Sequence, residues 1–145
     1  LSDMMRYSIY EGEKESVTIG EEVEFLENYI TLHKMRYHKE IMVDFNFDVD
    51  KRQKIAPLLF IILVENAFKH GVESLRNSAY IKMRLTNFQN NICFNIENNY
   101  EKSGNKLGIG LKNMKRRLEL MYPNCHELTF SAKENVYSVQ LILKK

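Results

Sequence analysis

The run Pro57–Val64, PLLFIILV, constrains this chain more than any other stretch. It falls far short of the roughly 20 apolar residues needed to cross a bilayer. It continues as ENAFKH up to Gly71. Proline suits a first helical turn, where its missing N–H costs nothing, and glycine suits a helix end. The pattern therefore predicts a helix, apolar nearly all round in its first half, that has to be buried inside a domain. A chain of 145 residues, 44% hydrophobic and 28% charged, can build one core of that kind. Those fractions exclude a disordered chain, a collagen-like chain and a disulfide scaffold. The net charge of +2 lacks the basic excess of a nucleic-acid module, so no nucleic-acid partner is expected. Cys93 and Cys125 are too isolated for a zinc site or a disulfide framework and read as reduced thiols of a cytosolic protein. The chain begins at Leu1 and shows no signal peptide. It reads as a soluble piece of something longer, in which a membrane anchor would lie upstream.

The cover for the buried helix is legible on both sides of it. Leu1, Met4, Met5 and Ile9 suggest the tail of a helix within residues 1–11, followed by the polar stretch Gly12–Ser16. Thr18 with Glu21 fits a capping box. Val23, Leu26, Ile30, His33 and Tyr37 make one apolar stripe, predicting a helix over 19–37 with His33 as a core or rim histidine. Ile41, Val43, Phe45 and Phe47 alternate with polar or exposed positions as a half-buried strand does. Two further strands are expected, one over Ala79–Leu85 and one over Ile92–Ile96, connected around Asn90 and Asn91. A polar loop over Asn98–Lys106 leads to a helix over Gly108–Tyr122, striped by Leu111, Met114, Leu118 and Met121 and stopped by Pro123. Leu128 and Phe130, then Tyr137, Val139, Leu141 and Leu143, read as a closing hairpin turning at Lys133–Asn135. This order predicts an α+β two-layer sandwich: a mixed, mostly antiparallel sheet covered on one face by helices.

Three places can carry chemistry. In Glu65-Asn66-Ala67-Phe68-Lys69-His70-Gly71, polar residues interrupt the apolar helix, with Asn66 and His70 sharing a face and Glu65 and Lys69 another. A buried amide must find partners. Its oxygen can ligate Mg²⁺, and a lysine or histidine one turn on can meet phosphates. The competing reading is a helix end emerging into solvent, with Glu65 and Lys69 an ordinary surface pair. Gly108-Ile109-Gly110-Leu111, at a loop-to-helix junction flanked by Lys106 and Lys112, can cradle an anion on free N–H groups, or can simply be a flexible turn. Glu97 at a strand end can accept a hydrogen bond from an exocyclic amine. The basic residues Lys112, Lys115, Arg116 and Arg117 read as a solvated helix face.

Taken in order, these features resemble the N, G1 and G2 boxes of GHKL-type ATPases, and more closely the LytS-like sensor histidine kinases. That family carries LSDxxRYS, then EFLENYIxLxKxRY, PLLxxxLVENAxKHG and GIGLKNxxxRLELxYP. This chain has LSDMMRYS, EFLENYITLHKMRY, PLLFIILVENAFKHG and GIGLKNMKRRLELMYP. The resemblance implies a Bergerat-type sandwich that binds ATP with Mg²⁺ and transfers the γ-phosphoryl to a histidine, for relay to an aspartate on a response regulator. It implies that Asn66 coordinates Mg²⁺, that Lys69 and His70 lie by the phosphates and that Glu65 assists proton transfer. Gly108, Ile109, Gly110 and Leu111 then close over the nucleotide. It implies that residues 1–16 end a dimerisation and phosphoacceptor region and that 17–145 form the catalytic domain. The parent would be a homodimer anchored in the bacterial inner membrane, with this part cytoplasmic.

Two departures from the family pattern stand out. The family's Asp-x-Gly-x-Gly is represented by Glu97-Asn98-Asn99-Tyr100, so Glu97, one methylene longer, or Asn98 would read the adenine amine. The family's Asn-Pro-His-Phe acceptor motif does not occur, and His33, His38 and His126 lie in other contexts. The chain thus reads as a catalytic domain whose acceptor helix lies elsewhere. An alternative is a GHKL-fold regulatory module with decayed nucleotide binding that acts by dimerisation or partner docking. A GHKL anti-sigma-type serine kinase is the other, which LSDMMRYS argues against.

Overall fold

The computed structural model describes residues 16–101 and 109–144. The helix tail expected within 1–11, and Gly104, Lys106 and Gly108, lie outside the described residues. The elements run β1 (Val17–Thr18), α1 (Ile19–Arg36), β2 (Ile41–Asp48), β3 (Lys54–Ile55), α2 (Phe60–Asn66), a π-helical turn (Ala67–Gly71) and a 3₁₀ turn (Val72–Ser74). They continue with β4 (Ala79–Phe88), β5 (Asn91–Asn99), α3 (Ile109–Met121), β6 (His126–Lys133) and β7 (Val136–Leu143).

Five strands form one mixed sheet in the order β2-β4-β5-β7-β6. β2 and β4 run parallel, and every other neighbouring pair is antiparallel. The short strands β1 and β3 pair separately. Alternation decides which face is covered, because successive strand side chains point to opposite sides. Ile81, Met83 and Leu85 of β4, Phe94 and Ile96 of β5, and Val139 and Leu141 of β7 are buried. Against them lie Val23, Leu26 and Ile30 of α1, Phe60, Leu63 and Val64 of α2, and Leu111, Met114 and Leu118 of α3, all buried. The Phe60 and Phe94 rings meet at 4.8 Å. Each such side chain contributes roughly 1.5–3 kcal/mol by leaving water. Lys82, Arg84, Asn95 and Glu97 alternate with the buried set and line a groove on the other face. The α+β two-layer arrangement expected from the sequence is the one observed.

Details differ where tertiary contacts override local pattern. The capping box forms, with the Glu21 N–H donating to Thr18 Oγ1 at 3.1 Å, and α1 ends at Arg36. His33 is half-buried at the rim, stacked on Tyr29 with ring centroids 3.9 Å apart. α2 starts at Phe60 rather than at Pro57, because Leu58 takes φ 59° and interrupts the helical path. Gly71 does not end the helix in a left-handed cap: its φ is −96°, and the chain keeps turning through Ser74. The β4–β5 connection places Gln89 and Asn90 at φ 50° and 71°, while Asn91 already belongs to the strand. β5 runs on to Asn99, so the polar segment expected from Asn98 begins later. The last hairpin turns at Glu134 and Asn135, both left-handed, as two-residue hairpin turns require.

Candidate functional site

The end of α2 and the π-helical turn face α3 across an open cleft of about 530 Å³. Ile62, Glu65, Asn66, Lys69 and His70 line one wall, and Asn113, Arg116 and Arg117 line the other. Four of the residues singled out in the sequence thus meet in one place. A helix widened to the π form is rare and recurs at functional sites. Asn66 is 7% exposed, and its Oδ1 has no hydrogen-bond partner among the described residues. An orphaned buried amide costs about 1–3 kcal/mol. A hard cation is the natural partner for such an oxygen. Among the described residues no cluster of three or more His, Cys, Asp or Glu side chains could hold a metal alone. A single amide oxygen suits Mg²⁺, which takes few protein ligands and completes its shell with water and phosphate oxygens.

The charges around Asn66 are graded. Burial pushes the Glu65 carboxyl above the usual carboxylate range, and Lys69 partly opposes this; the residue's outer surface remains exposed. Burial, then Lys69, holds His70 below the ordinary histidine value, with Glu73 opposing, so the imidazole is neutral at neutral pH. No ion pair joins Glu65 and Lys69 among the described residues, so the surface-pair reading is not realised in this geometry. Glu65 and Lys69 also border a second hollow of about 260 Å³ walled by Tyr29, His33, Tyr37 and Phe68.

The Glu97-Asn98-Asn99 stretch splits by strand parity. Glu97 points to the groove on the far side of the sheet and accepts the Tyr80 hydroxyl at 2.8 Å, so the structure does not bring it to Asn66 and His70. Asn98 is 4% exposed and faces the helices against Gly71, where a Cβ would stand 2.2 Å from its Nδ2. That close approach is what demands glycine at position 71. Asn98 Nδ2 donates to the Asn99 carbonyl at 2.9 Å, leaving its Oδ1 as an acceptor. Asn99 is bound to β4, accepting from the Tyr80 N–H at 2.9 Å and donating to the Ser78 carbonyl at 2.8 Å.

α3 bears out the reading of its basic residues as a solvated face for Lys112, Lys115 and Arg116, which are exposed, and corrects it for Arg117, which is half-buried; Arg116 and Arg117 also line the cleft. Arg117 donates to the carbonyls of Pro57 and Leu58, each at 3.0 Å. The signal was present as Asn113, Arg116 and Arg117 at i, i+3 and i+4, one helix face beside the apolar stripe. Glu22, 2% exposed, was not singled out at all. Of the glycine-rich stretch, Ile109 and Gly110 open α3, and the Leu111 side chain is buried in the core, which leaves its backbone for any anion.

The two-layer sandwich is the fold of histidine kinase catalytic domains. The catalytic domain of histidine kinase ThkA superposes with a TM-score of 0.63 at 14% identity, covering 90% of this chain and 95% of that one. The same kinase solved with the response regulator protein TrrA superposes at 0.56 with 14% identity, over 97% of this chain and 46% of that one. Sensor protein LytS of Streptococcus agalactiae is 23% identical over 150 residues, covering 93% of this chain and 26% of its own length. Sensor histidine kinase YesM of Bacillus subtilis is 26% identical over 131 residues, covering 84% and 22%. The family profile described as Histidine kinase matches residues 1–41. The chain is thus a relative of LytS and other sensor histidine kinases, as the motifs led us to expect. It spans about a quarter of the length of the curated relatives it matches. No helix among the described residues is long and apolar enough to cross a membrane.

Proposed function

We propose that residues 17–145 are the ATP-binding catalytic domain of a sensor histidine kinase, and that residues 1–16 end its dimerisation and phosphoacceptor region. The observation that carries this reading is the orphaned, buried Oδ1 of Asn66 in a cleft with Glu65, Lys69 and His70. Asn66 would hold Mg²⁺, which supplies charge neutralisation at the phosphate oxygens. Lys69 and the neutral His70 meet the same phosphates from the helix side. The backbone N–H groups at the start of α3, from Ile109 to Leu111, suit an anion, and the sequence adds Gly108 just before them. Asn98 Oδ1, rather than Glu97, accepts the adenine amine. Glu65 borders both hollows, so its carboxylate can take a proton from an acceptor imidazole arriving beside the phosphates. Its raised pKa makes it a stronger base than an ordinary carboxylate.

The acceptor histidine belongs to a helix outside 17–145, and the phosphoryl group passes on to a response regulator. ThkA's complex with such a regulator supports that partner. We further propose that the parent is a homodimer anchored in the bacterial inner membrane, with this domain on the cytoplasmic side.

Calorimetric titration with Mg-ATP tests the reading. The chain should bind, and Asn66→Ala should lose the Mg²⁺-dependent part of the affinity while keeping its fold. With labelled ATP, the chain alone should gain no acid-labile, alkali-stable label, and adding the parent's upstream helix should restore it, because transfer depends on an in-line acceptor. An Asn66→Ala variant that binds Mg-ATP like the parent would sink the metal role. A parent chain that binds no nucleotide would favour the regulatory module.

A further inference from the structure

The turn before α2 is held from α1, from α3 and from the residue just past α3. Leu58 is left-handed at φ 59°, a conformation that a bulky L-residue keeps only when its surroundings impose it. Its N–H donates to Glu22 Oε1 at 2.6 Å, from α1. Its carbonyl and that of Pro57 accept the two Nη groups of Arg117 at 3.0 Å each, from α3. The Ala56 N–H donates to Tyr122 Oη at 2.9 Å, from the residue just past α3. A guanidinium forked onto two successive carbonyls admits little rotation about the contact.

We propose that Arg117 is a positioning residue that ties α3 to the start of α2 and so sets where Asn66 Oδ1 stands when a metal–nucleotide ligand is bound. Asn66 lies about 12 Å along the helix from Leu58. A small change of direction at the turn is therefore carried to the amide. α3 meets the ligand at its own start and through Asn113 and Arg116, and Arg117 lines the same cleft. Occupancy of the α3 wall and the pitch of α2 are thus linked through one side chain. Without the fork, Leu58 can relax toward ordinary backbone angles and turn α2 away from the α3 wall. The inference rests on the reading of the cleft as a Mg-ATP site.

The test compares ATP affinity with Mg²⁺ and with EDTA, for the parent chain and for Arg117→Gln, Arg117→Lys and Glu22→Gln. In the parent, Mg²⁺ should tighten ATP binding. Arg117→Gln should cut that tightening by about tenfold, the loss expected for a charge-assisted contact, and any loss of metal-free affinity from removing a cation of the cleft wall should be smaller. Arg117→Lys, able to fill one of the two bonds, should recover part of it. Glu22→Gln, whose amide oxygen still accepts the Leu58 N–H, should stay within about twofold of the parent. An unchanged Mg²⁺ ratio in Arg117→Gln would overturn the proposal. So would equal losses with and without the metal, accompanied by a lower melting temperature, because that is the mark of a structural role. If Arg117→Gln does not fold, the ratio measured on Arg117→Lys decides in the same way. A parent that binds no ATP in either condition would remove the Mg-ATP reading and the coupling with it, and that outcome is recognisable because the parent itself is silent.

Discussion

Replacing Gly71 by alanine sets two effects of opposite sign against each other. Gly71 has φ −96° and ψ −73°, angles open to any residue, so the backbone alone favours alanine by about 0.5–1 kcal/mol. The surroundings oppose it. A Cβ would stand 2.2 Å from Asn98 Nδ2 and 2.9 Å from both Asn98 Cγ and the Asn99 carbonyl oxygen. Carbon atoms pack comfortably at roughly 3.5–4.0 Å. Asn98 cannot simply swing aside: it is 4% exposed, and its Nδ2 is bound to the Asn99 carbonyl. Asn99 is fixed in turn by hydrogen bonds to Tyr80 of β4 and to Ser78 just before it. Overpacking of this kind costs about 1–3 kcal/mol, and the strained amide bond adds about 0.5–1.5 kcal/mol. The net expectation is a loss of about 1–3 kcal/mol, or roughly 3–10 °C in Tm for a domain of this size. Urea unfolding followed by circular dichroism, with an unchanged m-value, measures it. In an Asn98→Ala background two of the three contacts vanish, so the same change should cost at least about 1 kcal/mol less. A Gly71→Ala variant as stable as its parent, or a cost indifferent to Asn98, would refute the close-approach argument and with it the placement of Asn98 against the helix layer.

Asn66→Ala removes a buried amide whose Oδ1 has no partner among the described residues, so it should melt within about 1 kcal/mol of the parent or above it; a loss beyond about 2 kcal/mol would mean that the amide has a protein partner. His33 and His70 both have pKa values lowered by burial, so the unfolded chain binds more protons near pH 6.5 and below. Stability should therefore fall as pH drops from about 7 to 5, and His33→Gln should flatten that slope in urea midpoints taken across the range. Thr18→Ala deletes the capping box at the start of α1 and should cost about 1 kcal/mol by the same urea assay.

What the sequence reveals here follows the reach of each signal. The sheet was legible because Ile41–Phe47, Ala79–Leu85 and Tyr137–Leu143 alternate, and alternation is a local consequence of one buried face. The ENAFKHG segment was legible because polar residues in an apolar helix are anomalous wherever they fall. Leu58 gave no warning, since leucine has no preference for the left-handed region and its angles are imposed by Glu22 and Arg117 from far along the chain. For the same reason neither of those side chains declared a role. Each is an ordinary charged residue on a helix until the fold brings it to the turn.

Glu97 and Asn98 are the more instructive case, because there the information was present. Ile92, Phe94 and Ile96 define the inward parity of β5, and extending that parity by one step places Asn98 inward and Glu97 outward. Polarity hid the step: a run of asparagines reads as loop, so the strand was ended at Ile96 when its ladder continues to Asn99. Parity is the stronger constraint, because a one-residue slip would bury Glu97 and Asn95 and expose Phe94 and Ile96. The chemistry follows from the parity. The group that meets Gly71 on the helix side is an amide whose nitrogen already donates one N–H to the backbone, so what it offers the amine of a ligand is its uncharged carbonyl oxygen. An uncharged acceptor takes an amine without the charge assistance that a carboxylate would lend, so any base bound there is held by a weaker hydrogen bond that does not titrate in the acid range. Asn98→Asp should therefore tighten ATP binding and add a pH dependence in the acid range to that of Glu65 and His70, read as the difference between the two ATP-affinity profiles against pH.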